Sequence, residues 1–398
     1  MLDFFLALLL GIVLGIGAGL LPGLHPNNTI PIILGISFLF DPLTAAIILI
    51  TCGVVDSFLA YIPAILLGAP EDTTSLGVLP GHKLLLEGKG FEAIKLTVIG
   101  NLGGILFAIL TLPLFALFVP ELYEIIRPHI HWLLIFVMGY MILREKGKNK
   151  LFAFSVFILS GLLGLAVLDF SDSYIFPLLT GLFGLPLLLI SVFRKTKLPE
   201  NFTFEEEKVK FKRIFSSIGI GSLAGIIAGL LPGLGAAQSA ILAQQVSKKK
   251  EGKDFLISLS AVDSSDLIYS LLALWLIGNP RSGIAVGISK LLNIGFNEIL
   301  IFISVIIFAA GIASILTLNI SKRFLKILSK VNYSKLCFYV SIFIFGLIVF
   351  FSGIMGLLIS FTGIAIGIIP NLIGVRRSYS MGCLIIPTIL FFMGIGLI

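Results

Sequence analysis

One stretch of sequence written twice constrains this chain more than anything else in it. Gly11, Gly15, Gly19, Leu20, Leu21, Pro22, Gly23 and Leu24 recur 210 residues later as Gly221, Gly225, Gly229, Leu230, Leu231, Pro232, Gly233 and Leu234. Further landmarks follow in the same order. Val55-Asp56-Ser57 echoes in Val262-Asp263-Ser264, and Gly68-Ala69-Pro70 followed by Lys83-Leu84-Leu85 echoes in Gly278-Asn279-Pro280 followed by Lys290-Leu291-Leu292. The chain therefore reads as two homologous membrane repeats, residues 1–200 and 214–398, joined by a polar cytoplasmic linker at 201–213. Internal duplication around interrupted apolar helices is a construction used by membrane transporters.

The medium of the fold follows from what surrounds the repeat. Of 398 residues, 58% are hydrophobic and 12% charged, about half the charge of an ordinary soluble domain. Runs such as Leu2 to Leu21, Leu96 to Val119 and Ile299 to Leu318 are continuously apolar, without the alternation a membrane barrel requires. The fold class is all-α and polytopic. Cys52, Cys337 and Cys383 lie singly inside apolar runs, so they read as small core residues, with no disulfide framework and no metal site. The start Met1-Leu2-Asp3 has no basic region before its apolar run, so no removable signal peptide is expected. His129 and His131, beside Trp132, read as an interfacial anchor.

Each half predicts a helix broken at Pro-Gly, a short returning segment and five crossings. These fall near 43–67, 92–118, 129–143, 151–168 and 173–193, then 255–277, 296–318, 337–351, 353–374 and 381–397. Five is odd, so the second repeat is expected to be inverted. With the N-terminus outside, 25 of the 28 basic residues fall in loops on the inner side, leaving Arg127, Arg281 and Lys290 outside. So lopsided a split is the signature of cytoplasmic retention, which explains the net charge of +7 without nucleic acid. A multi-pass protein of the cell membrane, of prokaryotic type, is expected.

A helix broken in hydrocarbon leaves unpaired backbone groups, tolerated only where protein, water or a solute satisfies them. The breaks at Pro22-Gly23 and Pro232-Gly233 are followed by His25, Asn27 and Asn28 in one half and Gly235, Gln238 and Ser239 in the other. A second pair of breaks brings Pro70, Thr73 and Thr74, and Pro280, Arg281 and Ser282. Amides, hydroxyls and restarting helix termini together suit a carboxylate, and Arg281 supplies the cation. Asp56, Asp263 and Asp266 sit in apolar surroundings, and Asp72 lies in the first of the second breaks; an intramembrane carboxylate reads as an ion-coupling group, for H⁺ or Na⁺. No cofactor is expected.

These motifs resemble the large membrane subunit of the tripartite tricarboxylate transporter family, TctA. The match runs through Leu21 to Pro26, Leu231 to Ala236, Gly68 to Leu79 with Gly88-Lys89-Gly90, and Gly278 to Gly283. Glu71 and Arg281 stand where the family usually has glycine. The resemblance implies a secondary transporter of tricarboxylates or dicarboxylates, driven by an ion gradient. It also implies two partners, a small membrane subunit and an extracytoplasmic solute-binding protein. Alternatives are a carrier of another solute without a binding protein, or a membrane scaffold or enzyme. No enzyme signature supports the last.

Overall fold

The computed structural model describes residues 2–21, 33, 40–69, 73–168, 170, 174–195, 202–203, 210–230, 236, 239–241, 243, 252–278, 280, 282–328 and 332–395. These residues form helices and turns, with no strand among them. In chain order they are α1 (Leu2–Leu20), α2 (Pro42–Leu59), α3 (Tyr61–Leu67), α4 (Val78–Leu86), α5 (Gly90–Ile126), α6 (Ile130–Arg144), α7 (Asn149–Leu165), α8 (Ile175–Leu179) and α9 (Leu185–Phe193). There follow α10 (Phe211–Leu230), α11 (Lys253–Ile277), α12 (Gly283–Ser289), α13 (Phe296–Leu328), α14 (Tyr333–Ile373) and α15 (Gly382–Phe392). Among the described residues, seven helices or helix pairs are long and apolar enough to cross a bilayer, and four shorter apolar ones accompany them. The protein is an all-α polytopic membrane protein.

Local chemistry explains the boundaries. At the start of α2, Asp41 accepts from the Thr44 N–H at 3.0 Å, and Pro42 occupies the first turn, where no N–H is needed. At the far ends of the two central spans, Gly68 (φ 62°) and Gly278 (φ 68°) close the helices in the left-handed conformation that glycine reaches without penalty. The crossings expected at 92–118 and 296–318 are longer than the apolar runs suggest, because α5 and α13 continue as helix to Ile126 and Leu328. The expected crossing at 173–193 contains a π-helical segment, Thr180–Gly184, between α8 and α9.

α14 is one helix by its hydrogen bonds but two in space. At Gly353 the backbone takes φ 62° and ψ −158°. The Phe345 and Phe361 rings stack with centroids 5.3 Å apart, whereas sixteen residues of straight helix would separate them by about 24 Å. The chain therefore reverses at Gly353, between the crossings expected at 337–351 and 353–374.

Close glycine contacts set the packing. A Cβ on Gly11, Gly15 or Gly19 would meet α2 and the residue that follows it around Ile48/Thr51, Cys52/Val55 and Leu59/Ala60 in turn. On Gly221, Gly225 or Gly229 it would meet α11 around Ser258/Ala261, Val262/Ser265 and Tyr269/Ser270. Contact for contact, the second set lies 210 residues after the first. Small residues at every fourth position let helix backbones approach until van der Waals packing replaces lipid contact. This register corrects one sequence pairing: Asp56 corresponds to Asp266, and Asp263 to Gly53, one helical turn away from the match of Val55-Asp56-Ser57 with Val262-Asp263-Ser264. The identical triplets had masked the slip.

On its other side α11 meets α5, where a Cβ on Gly100 or Gly104 would strike Ile257/Ser260 and Ala261/Ser264. The two central spans are consequently the most enclosed. The apolar window of Pro42–Leu67 is 100% buried and that of Lys253–Ile277 is 89% buried, against 28–67% for the other five.

Candidate functional site

Both of the most enclosed spans carry carboxylates within their apolar stretches. Asp56 on α2 and Asp263 on α11 are both buried, and Asp266 is half-buried with Ser270 Oγ donating to its Oδ1 at 3.2 Å. Charge is costly at such depth, so it persists where it has a task.

Asp263 is placed by a ridge on α11. Leu259, Asp263 and Leu267 follow one another at four-residue intervals, the spacing that lines side chains along one helix face. Leu259 touches Gly77 in the 3₁₀ turn Ser75–Gly77 that leads into the returning helix α4. Leu267 and Ile284 both reach Gly53 of α2, so α12 inserts there. Asp263 thus lies between the contact points of the two returning segments, about one turn from each. Tyr61, which also packs at Gly77, stands within electrostatic reach of Asp263. Its ring is fully buried, and its hydroxyl makes no hydrogen bond among the described residues.

A polar bridge joins α2 to α11 through α5. Asn101 Nδ2 donates to the Ser57 carbonyl at 3.1 Å, and Ser264 Oγ donates to the Asn101 carbonyl at 2.9 Å. Asn101 is fully buried, and its Oδ1 has no hydrogen-bond partner among the described residues. Next to both aspartate-bearing helices, the structure therefore offers an amide oxygen and a phenol oxygen with spare capacity, the hard donors that alkali and alkaline-earth cations prefer. Tyr61 and Asn101 were not singled out from sequence. Asn101 had a signal, an amide inside the run Leu96 to Val119, whereas Tyr61 in an apolar context had none.

The remaining expected site residues divide into two groups. Pro22, Gly23, His25, Asn27, Asn28, Pro70, Asp72, Pro232, Gly233, Gly235, Gln238 and Arg281 lie outside the described residues. Thr73 is half-buried at the first turn of the returning segment, and Thr74 is buried, its carbonyl accepting from Gly77 N–H at 2.9 Å. Ser239 is fully buried, and its hydroxyl has no hydrogen-bond partner among the described residues. Pro280 is half-buried. Ser282 caps α12, accepting from the Ala285 N–H at 3.2 Å, so its hydroxyl already has a structural use. Among the described residues no group of His, Cys, Asp and Glu is arranged to hold a metal ion.

Arg377 is the largest departure from expectation. The sequence reading spends it as one of the loop charges that hold the chain's orientation, yet it is 5% exposed. Its Nε donates to Asn371 Oδ1 at 2.7 Å, and it lines a cleft with Ser75 and Ser378. Beside it, His82 Nδ1 lies 3.1 Å from the Ile65 carbonyl, pinning α4 back onto α3. Burial pushes the His82 pKa down to about 4, the Ile65 carbonyl opposing and the Arg377 charge assisting, so the imidazole is neutral at pH 7.

The sequence model of the tripartite tricarboxylate transporter TctA family matches residues 5–382. A relative in Methanocaldococcus jannaschii, named Uncharacterized protein MJ1079, is 34% identical over 403 aligned positions that cover 98% of this chain and 98% of that one. No solved structure matches.

Proposed function

Because the chain belongs to the tripartite tricarboxylate transporter TctA family, we propose that it is a secondary transporter, a permease moving a small organic carboxylate across the cell membrane by ion-coupled alternating access. The observation that carries this reading is the coincidence of burial and charge: the two most enclosed spans hold Asp56 and Asp263, and Asp263 lies between the two returning segments. In the proposed cycle the halves 1–200 and 214–398 are inverted repeats with the N-terminus outside, and the returning segments move against the outer helices. Asp56, Asp263 and Asp266 carry the coupling ion, H⁺ or Na⁺; Tyr61 and Asn101 complete its coordination when the ion is Na⁺. A small membrane subunit and an extracytoplasmic binding protein would deliver the solute. Nothing in this cycle calls for bond making, in keeping with a transporter family.

The test is uptake of labelled carboxylates into proteoliposomes holding this chain alone and this chain with its partners. One arm imposes a Na⁺ gradient and the other a pH gradient. Saturable uptake in one arm, abolished when that gradient is collapsed, supports the proposal and names the ion. Flux of equal size in both arms and without a gradient would sink the coupled mechanism.

A further inference from the structure

The packing divides the molecule along a line that the repeat does not draw. α5 of the first half packs along α11 of the second, α13 of the second along α2 of the first, and α10 on both α5 and α11. Interlocked in this way, α1–α5 and α10–α13 are one body, which holds Asp56, Asp263, Asp266, Tyr61, Asn101 and the returning helices α4 and α12. α7 packs on α15, and α8, α9 and the π-helical segment between them pack on α14. With α6, which lies against α7 and α15, these helices are a second body, again drawn from both halves.

The glycines mark the same division. In the first body those of α1, α5 and α10 bring backbones together, as described above. In the second, a Cβ on Gly164 would strike the Cys383 backbone, one on Gly181 the Ser360 backbone, and one on Gly367 the Leu182 backbone. Helices that close cannot slide past one another without clashes or voids, so each body moves as a unit. Gly68 is the described glycine that faces the opposite body, and its contact is of another kind. A Cβ there would stand 3.3 Å from the Leu188 side chain, with the nearest backbone atom, the Gly184 carbonyl oxygen, at 3.9 Å.

The boundary is lined by backbone that is not α-helix. The first body contributes the 3₁₀ turn Ser75–Gly77, and the second the π-helical segment Thr180–Gly184 and the 3₁₀ turn Arg377–Met381. Ser75 Oγ reaches Met381 Sδ across it at 4.0 Å, and a cleft opens between Pro80 and Phe255 on one side and Phe183 and Ser378 on the other. Packed side chains beside a cleft can exchange partners by small sliding steps, which interdigitated backbones cannot.

Resting on the carrier reading above, we propose that alternating access is a displacement of the first body as a whole against the second along this boundary, with Asp263 and the returning helices travelling together with the central spans. The two repeats do not move against each other, because each is built into both bodies.

The experiment bridges the boundary with a bifunctional thiosulfonate in Ser75→Cys with Met381→Cys, in proteoliposomes loaded by uptake of labelled citrate or succinate. Arg213→Cys with Asp254→Cys, at an ion pair inside the first body, is the control pair. Cys52, Cys337 and Cys383 are buried and stay in place, with reagent-treated wild type alongside. Bridging the boundary pair should abolish uptake until a reducing agent restores it, whereas bridging the control pair should leave uptake intact. Spin labels at exposed Leu223 and Ile315 of the first body and Leu151 and Ile354 of the second read the motion itself, and decide the matter if the cysteine pair impairs uptake before bridging. On adding citrate or succinate, distances between the bodies should change by about 5 Å, one helical turn, while those from 223 to 315 and from 151 to 354 stay fixed. Uptake that survives the boundary bridge, or distances between bodies that change no more than those within them, would refute the division while carboxylate transport stands. Wild type that takes up neither acid, alone or with its partner subunits, removes the carrier reading and this inference with it.

Discussion

Lys253 Nζ lies 2.6 Å from Glu92 Oε1, joining the first turn of α11 to the first turn of α5 across the two halves of the chain. Glu92 is almost enclosed and Lys253 is 23% exposed at its side chain, so the pair is screened less than a surface bridge. Glu92→Gln should lower stability by about 1–3 kcal/mol, less than the roughly 3–5 of a fully buried broken pair. The exchanged pair Glu92→Lys with Lys253→Glu should regain at least part of the loss. Melting in detergent at low and high salt measures both, and a swap no better than the single change would deny the pair its role.

The glycine faces predict a rescue. A methyl on Gly225 would collide with Ser265 Oγ, while the Ser265 Cβ stands at 3.1 Å. Gly225→Ala should therefore cost about 1–3 kcal/mol through overpacking, and Ser265→Ala in the same chain should return much of it. A double variant as unstable as the single would place the clash in the backbone instead.

At Gly353 the constraint is the dihedral angle. A φ of 62° with ψ −158° belongs to a region that only glycine enters freely, so Gly353→Ala should destabilise by about 1–3 kcal/mol. Gly346→Ala in the same element meets nothing within 4 Å and should be neutral or slightly stabilising. Equal melting midpoints for the two variants would refute the argument.

Coupling should fail before folding does. Asp263→Asn is predicted to abolish gradient-driven accumulation while the protein still inserts, since the amide keeps the volume and loses the charge. Tyr61→Phe, which removes only the buried hydroxyl, should raise the ion concentration for half-maximal uptake by about tenfold, equivalent to ~1.4 kcal/mol. Unaltered ion dependence in both variants would clear this region of a coupling role.

Acid should loosen the returning segment. His82 in the folded chain takes its proton at about 4 rather than at the ordinary 6.5, so the unfolded state binds more protons between these values. Stability is therefore full above about pH 6.5 and falls as the pH drops toward 4, by at most about 3 kcal/mol. His82→Gln should flatten that limb of the melting profile. A profile with the same acid slope in both proteins would assign the effect to other groups.

Much of this architecture could be read from letters alone because a bilayer punishes ambiguity. The apolar runs predict helices, the glycines of the repeated stretch mark the faces that touch, and a reversal falls at Gly353 between the expected segments 337–351 and 353–374 although the ladder runs on through it. Electrostatic environment was harder to read. Arg377 sits beside Arg376 at the end of an apolar segment, the usual place of a solvated cation, and only the convergence of Ser75, Phe183 and Phe255 from far along the chain encloses it. The Asp56 and Asp263 pairing failed for a related reason: identical triplets one turn out of register look alike in a string, whereas Gly15 and Gly225 select the true neighbours by contact. His25, Asn27 and Asn28 after Pro22 and Gln238 after Pro232 lie outside the described residues, so of the polar groups that follow these breaks Ser239 alone is placed by the structure.

The reversal at Gly353 also decides what the outer world can touch. The corresponding connection in the first half, between α6 and α7, carries Glu145, Lys146, Gly147 and Lys148, a hydrophilic handle that a partner, an antibody or an inserted tag could grip. At Gly353 the chain turns between Ser352 and Ile354 with nothing to spare. The side chains exposed around that turn, Phe350, Ile354 and Met355, are apolar, so this end of the hairpin offers no charged grip of the kind the first half has.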